Sequence, residues 1–255
     1  MNFLISLRSE LFKTKRTVVL YFTLAAAAFG PMMSMLDLVF DGVGQDHRQD
    51  IFNELLTTKF MMTGAVVLPW FIILASTLLA QIEYKNNTWK QVLTSPQTKV
   101  NVFLSKFINI QLLIFLFLFT NNLCMILNAV ILHFMEPSLN VLNQPLNGPE
   151  ILATVVNNYV VLLALCSIQF WLGLRFKNFI IPVAIGISCW FFGSILVIQL
   201  KSGFADYFPY SFHMFPNFPE VKHKNLNAIH WRSVGYAILF LVIGFLNFRR
   251  RRMNG

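Results

Sequence analysis

The sequence predicts an all-α membrane protein with six transmembrane helices. Three observations lead there. Of 255 residues, 56% are apolar and only 12% are charged, where a soluble domain carries about 25% charged residues. Mean hydropathy is +0.61. Apolar runs of about 20 residues recur, and each rises about 30 Å as a helix, enough to cross a hydrocarbon core. Such runs can only be helices, because lipid offers no hydrogen-bond partner to the edge of an open strand.

The elements follow in order. In Met1–Lys13, Phe3, Leu4, Leu7, Leu11 and Phe12 recur at helical spacing, with Arg8, Ser9 and Lys13 elsewhere around the axis. This predicts an amphipathic helix lying in the membrane interface. The apolar run that follows is too long for a signal peptide and lacks a convincing A-x-A site followed by a soluble domain, so it is expected to remain as a span. Spans are expected at Thr17–Leu36, Phe60–Ala80, Phe107–Leu132, Ile151–Leu174, Phe179–Leu200 and Ser233–Phe248. No internal repeat or low-complexity linker divides the chain, so residues 1–255 read as one transmembrane domain.

Two connecting segments stand out. Gln81–Lys106 is polar and basic, with Trp89 at its middle and a break at Pro96. Trp89, Val92 and Leu93 can share a helical face with Tyr84 or Lys85 one turn earlier, and Pro96 then ends that helix. Such a helix either floats in the interface or fills a groove on a soluble protein. The second segment, Lys201–Arg232, holds Phe204, Tyr207, Phe208, Tyr210, Phe212, Phe215, Phe218 and Trp231, interrupted by Pro209, Pro216 and Pro219. It is too apolar for a solvated loop and too broken for a span. Short interfacial or re-entrant helices in the outer leaflet are expected.

Charge gives the orientation. The net charge of +9 is not gathered into a phosphate-binding groove, so nucleic acid is not an expected partner. Four alternate segments hold 14 of the 20 basic residues: Arg8 to Arg16, Lys85 to Lys106, Arg175 with Lys177, and Arg249 to Arg252. The other side holds nine of the 11 acidic residues, led by Asp37, Asp41, Asp46, Asp50 and Glu54. The positive-inside rule places both termini in the cytoplasm of a multi-pass cell-membrane protein.

Several chemistries are excluded or disfavoured. Cys124, Cys166 and Cys189 lie in apolar runs without C-x-x-C or Cys/His metal spacing and read as packing residues. The five histidines map to the acidic side without an H-E-x-x-H pair. Ser194 lacks a partner base, and no G-x-x-x-x-G-K-S loop is present. The spans are nearly free of ionisable residues, which disfavours proton coupling. Their polar residues are mostly amides: Asn109, Asn121, Asn122 and Asn128 in the third span, Asn157, Asn158 and Gln169 in the fourth. Interhelical hydrogen bonding is the commoner use of such amides. Lining a path between subunits is the other.

Glu83, then Thr88-Trp89-Lys90, Leu93, Pro96 and Lys99 together resemble the E-x4-T-aromatic-basic pattern of type-2 ABC exporter permeases, where it forms the coupling helix between spans two and three. Ser9-Glu10-Leu11-Phe12-Lys13 with Lys15-Arg16-Thr17 is similar to the start of permeases from lantibiotic-immunity and related small exporters. The resemblance implies two permease chains, identical or different, and two ATP-binding subunits that carry ATP and Mg. This chain would have no ATPase site, catalytic residue, cofactor or metal of its own. Glu83 would hold the start of the coupling helix, while Trp89 and Leu93 would fill the partner's groove. Lys90 and Lys99 would pair with acidic partner residues or anionic lipid. Tyr207, Phe208, Tyr210, Phe212 and Phe215 would form an external gate or receive an amphipathic substrate. The external loop between spans one and two is short, so no large substrate-capturing domain is expected. Peptide antibiotics, lipids, drugs and cell-surface polymers all suit such a path. The alternative is a membrane scaffold or anchor for a soluble cytoplasmic factor, which would share the basic faces without transport.

Overall fold

The computed structural model describes residues 3–41, 50–58, 60–85, 97–218 and 225–250. Among these there is no strand. Helix α1 (Phe3–Lys15) precedes α2 (Val18–Asp41). Next come α3 (Ile51–Thr57), the single turn α4 (Phe60–Met62), a π-helical stretch at Thr63–Val67, and α5 (Leu68–Lys85). Then follow α6 (Lys99–Met135), α7 (Gly148–Arg175), α8 (Ile180–Ile198), the short α9 (Met214–Asn217) and α10 (Leu226–Arg249). Six helical stretches are long and apolar enough to cross a membrane: α2, the composite Ile51–Lys85, α6, α7, α8 and α10.

Several helices outrun the apolar stretches that predict them. The second span is helical from Ile51 rather than Phe60, and the third from Lys99 rather than Phe107. At 37 residues α6 is about 55 Å long, well beyond a hydrocarbon core of about 30 Å. Backbone hydrogen bonding continues past the membrane wherever a cap or a packed neighbour supports it. Thr98 caps α6 by accepting from the Asn101 backbone N–H at 3.3 Å, and Asn147 caps α7 by accepting from that of Glu150 at 3.4 Å.

Helix α7 packs between α5 and α10, α2 packs on α6, and α1 lies against α6. Aromatic rings fill the centre. Phe71 stacks between Phe22 at 5.8 Å and Phe117 at 4.8 Å, and Phe103 meets Phe170, Phe245 and Phe248. Gly173 lets α7 approach α5 closely: a Cβ there would sit 3.1 Å from that of Ala80. Small residues at such contacts replace the hydrophobic drive that lipid cannot supply.

Amides tie the third span to the first. Pro31 sits inside α2 and has no N–H to give the carbonyl of Ala27. Asn121 of α6 donates to that carbonyl at 2.9 Å, and Asn128 donates to the Pro31 carbonyl at 2.8 Å. These two amides therefore serve interhelical bonding, the commoner of the two uses expected for them.

Helix α1 has its apolar side chains turned away from the bundle. Leu4 is 72% and Phe12 53% exposed, while Ser6, Glu10 and Thr14 are buried. Its inner face is the polar one, a stripe with i, i+4, i+8 spacing.

Candidate functional site

The basic residues converge where α5 ends and α6 begins, on either side of residues 86–96. Glu83, fully buried, lies in the last turn of α5, and Lys106, 3% exposed, faces it from α6. The Lys106 ammonium donates to Glu83 Oε1 and, at 2.8 Å, to Glu10 Oε2 of α1. Lys13 completes the ring, donating to Glu10 Oε1 at 2.7 Å and to Glu83 Oε1 at 3.2 Å. Each ammonium touches both carboxylates, so the four charges alternate and cancel. Burial pushes the Glu10 carboxyl up, but Lys106 and Lys13 outweigh it and hold the group below its ordinary range. Burial likewise lowers Lys13, and the two carboxylates more than reverse that.

Further polar bonds fix the surroundings. Asn109 Nδ2 donates to Thr14 Oγ1 at 2.6 Å, and that hydroxyl donates to the Glu10 carbonyl at 3.0 Å. At the end of α5, Gln81 donates to the Phe176 carbonyl at 2.9 Å and Tyr84 to that of Leu174 at 2.7 Å, both at the end of α7. Lys99 Nζ donates to the Arg249 carbonyl at 3.0 Å. The two ends of residues 86–96 are thus tied to α1, α7 and α10 as well as to each other.

Of the coupling residues expected from sequence, Glu83 and Lys99 fall at these two ends. Thr88, Trp89, Lys90, Leu93 and Pro96 lie outside the described residues. Sequence reasoning missed Glu10, Lys13 and Lys106 as a cluster and took Lys106 only as a basic flank of the third span. The signal lay in the charge count: with nine of 11 acidic residues at the opposite end, the two left over are Glu10 and Glu83. Two acids stranded among cations, one on a helix whose polar stripe includes Ser6 and Thr14, call for buried partners.

At the acidic end, residues 199–218 fold into short helical turns at Gly203–Asp206, Pro209–Ser211 and α9. Of the five aromatics expected at an external gate, Tyr210, Phe212 and Phe215 are buried in the bundle, Phe208 is half-buried and Tyr207 is exposed. The backbone carbonyl of Tyr210 lies against Gly193 of α8, where a Cβ would come within 2.5 Å of it. The Tyr210 hydroxyl accepts from Gln169 at 3.2 Å. Asn217 donates to Asn158 of α7 at 2.7 Å. His213 stacks on Trp190, whose indole N–H donates to the Ala65 carbonyl in the π-helical stretch at 3.2 Å. Tyr207 is pinned from α10: Arg232 lies 4.3 Å over its ring, and Tyr236 donates to its carbonyl at 2.9 Å. Next to this segment, α2, the second span and Asn217–Phe218 border an open, mainly apolar cavity of about 680 Å³.

Among the described residues no group of three or more His, Cys, Asp or Glu side chains is placed to hold a metal. The arrangement is a bundle of crossing helices with an ionic joint at one end and an aromatic wedge at the other. No curated protein matches the chain. The family described as an ABC-2 family transporter protein matches residues 6–193, a stretch that runs from α1 into α8 and contains the whole ionic joint. The chain therefore belongs to the ABC-2 transporter family, whose members form the membrane part of ABC transporters.

Proposed function

We propose that this chain is the permease subunit of an ATP-driven exporter, with residues Thr88–Pro96 as its contact with an ATP-binding subunit. ATP and Mg bind that partner, and a second permease chain completes the path. Closure of the ATP-binding subunits pushes on the contact, and the push turns the spans between inward-open and outward-open states. The reading rests on family membership joined to one observation: both ends of residues 86–96 are fastened into the bundle by buried ion pairs and hydrogen bonds. A segment that receives force must be rigidly rooted, or the push is lost in local bending. The excess of Lys and Arg at this end supports its placement in the cytoplasm, with both termini.

Tyr207, Phe208, Tyr210, Phe212 and Phe215 form the external gate in this reading. Exposed Tyr207 and half-buried Phe208 present their rings to an emerging substrate, while the other three brace them from inside. Tyr207→Ala with Phe208→Ala is expected to impair export without unfolding the protein, and unchanged export removes the gate role.

The decisive experiment is co-reconstitution with an ATP-binding subunit in lipid nanodiscs. The wild-type permease is expected to bind it and change its rate of ATP hydrolysis, and Trp89→Ala with Leu93→Ala to abolish that change. A permease that binds a soluble partner with no effect on hydrolysis is instead a scaffold.

A further inference from the structure

The ionic joint has a member that the contact segment does not require. Glu83 and Lys106 alone join the end of α5 to the start of α6, yet Glu10 and Lys13 bring in α1 as well. We propose that Glu10, Lys13 and Lys106 are positioning residues that bind α1 to the two ends of the contact segment, so that α1 moves with the ends of α5 and α6 as one body during the transport cycle. This rests on the reading of residues 86–96 as the contact with the ATP-binding subunit.

Three features support it. Helix α1 turns Leu4, Ile5, Leu11 and Phe12 away from the bundle and packs through Ser6, Glu10 and Thr14. Its attachment is therefore ionic and hydrogen-bonded, and the pairs that tie it to α5 and α6 are buried ones that are costly to separate. Next, Lys106 bridges Glu10 and Glu83, so one buried ammonium holds both α1 and the end of α5 to α6. Withdrawing α1 would strand that charge away from half its compensation. Finally, Glu83 takes both ammonium groups on Oε1, while its buried Oε2 has no hydrogen-bond partner among the described residues. Either ammonium can turn to that oxygen, so a small displacement leaves the joint closed.

The test uses spin-label pairs in the full-length permease, with Cys124, Cys166 and Cys189 replaced by alanine, assembled with its ATP-binding subunit in nanodiscs. One pair joins Ile5→Cys on α1 to Leu104→Cys on α6, and a second joins Ile5→Cys to Ile180→Cys at the start of α8. A non-hydrolysable ATP analogue is expected to shift the second distance and leave the first unchanged. Glu10→Gln removes the α1 carboxylate from Lys106, leaving Lys13–Glu83 as the remaining ion pair of α1, and spares the Glu83–Lys106 pair. It should broaden the first distance and lower the permease-stimulated ATP hydrolysis by about tenfold, within the usual range of coupling between sites. Lys13→Met should do the same more weakly, and Lys106→Arg, which keeps the charge, should restore most of the hydrolysis lost in Lys106→Met. A folded Glu10→Gln protein with a narrow first distance and wild-type hydrolysis overturns the proposal. So does a first distance that changes with nucleotide in the wild type. A wild-type permease that fails to stimulate hydrolysis at all fails earlier, on the transporter reading itself, and takes this inference with it.

Discussion

At its basic end the bundle is closed by charged side chains from α1, α5 and α6. At its acidic end it is closed by the rings of Tyr210, Phe212 and Phe215 and by neutral amides. Both ends are buried, yet they respond differently to movement. Coulomb attraction falls only as the inverse of distance, so an ion pair keeps most of its hold when two helices slide by an ångström. Packed rings lose a quarter to a half of their dispersion attraction over a gap of about 0.5–1 Å. The basic end is thus a joint that stays closed while loaded, and the acidic end is a plug that is either seated or not. In an exporter, those properties suit the end that receives the push and the end that opens.

Lys106→Met should give the largest effect, because it leaves Glu10 and Glu83 buried with only the partly exposed Lys13 as partner. A loss of about 3–5 kcal/mol is expected, read as a fall in the unfolding midpoint in nanodiscs. Gly193→Leu attacks the other end by driving a side chain into the backbone of Tyr210, with an expected loss of about 1–3 kcal/mol. If Gly193→Leu proves the more damaging of the two, the contrast between the ends is reversed.

The membrane centre offers an intermediate case. Asn121→Leu removes the donor from the Ala27 carbonyl that Pro31 leaves unpaired, and should lose about 0.6–2 kcal/mol. Pro31→Ala restores the helix's own donor, so the double variant should recover most of that loss. A cycle over the two sites that sums without coupling would show that the amide is not serving the proline.

The smallest effect concerns pH. The Glu10 carboxyl is held below its ordinary 4.5, so its stabilisation is complete above that value and drains away as pH falls through the lowered one. Lys13 is raised above 10.5, so its contribution is complete below that value and is lost as pH rises through the raised one. Stability attributable to this joint should therefore be flat across the neutral range, and Glu10→Gln should flatten the acid limb and also weaken the alkaline one, since Glu10 is the main charge that raises Lys13. An acid limb unchanged in Glu10→Gln would assign it to other carboxyl groups.

Six spans were legible because lipid demands long apolar runs and long apolar runs are local in sequence. The aromatic segment was legible as an irregular insertion for the same reason, since Pro209, Pro216 and Pro219 rule out one continuous helix. How deeply it packs was not: Tyr210 is seated by Gly193 and Gln169, neither of which is marked as its partner by any nearby pattern. The ionic joint was hidden by the same non-locality. Lys106 is separated from Glu10 by 96 residues and from Glu83 by 23, and a lysine at the edge of an apolar run looks like a topology marker. In helix α1 the apolar spacing marks one face, but not which face meets the bundle, and the buried stripe of Ser6, Glu10 and Thr14 was not among the polar residues it singled out. Next to a water-filled surface the apolar face would turn in, whereas beside lipid the polar face can do so.

The π-helical stretch Thr63–Val67 carries one residue more than an α-helix needs for the same turn. It works as an insertion in the reading frame of helix faces. In a regular α-helix one added residue turns everything beyond it by about 100°, whereas the wide π turn absorbs it, so deleting one residue here should let the stretch relax to α-helix with the faces of α3 and α5 kept in register. Asn53 should then keep its bonds to Pro145 and the backbone of Asn147. The surplus residue changes the helix only locally, where Gly64 packs on the amides of Asn158 and Asn217.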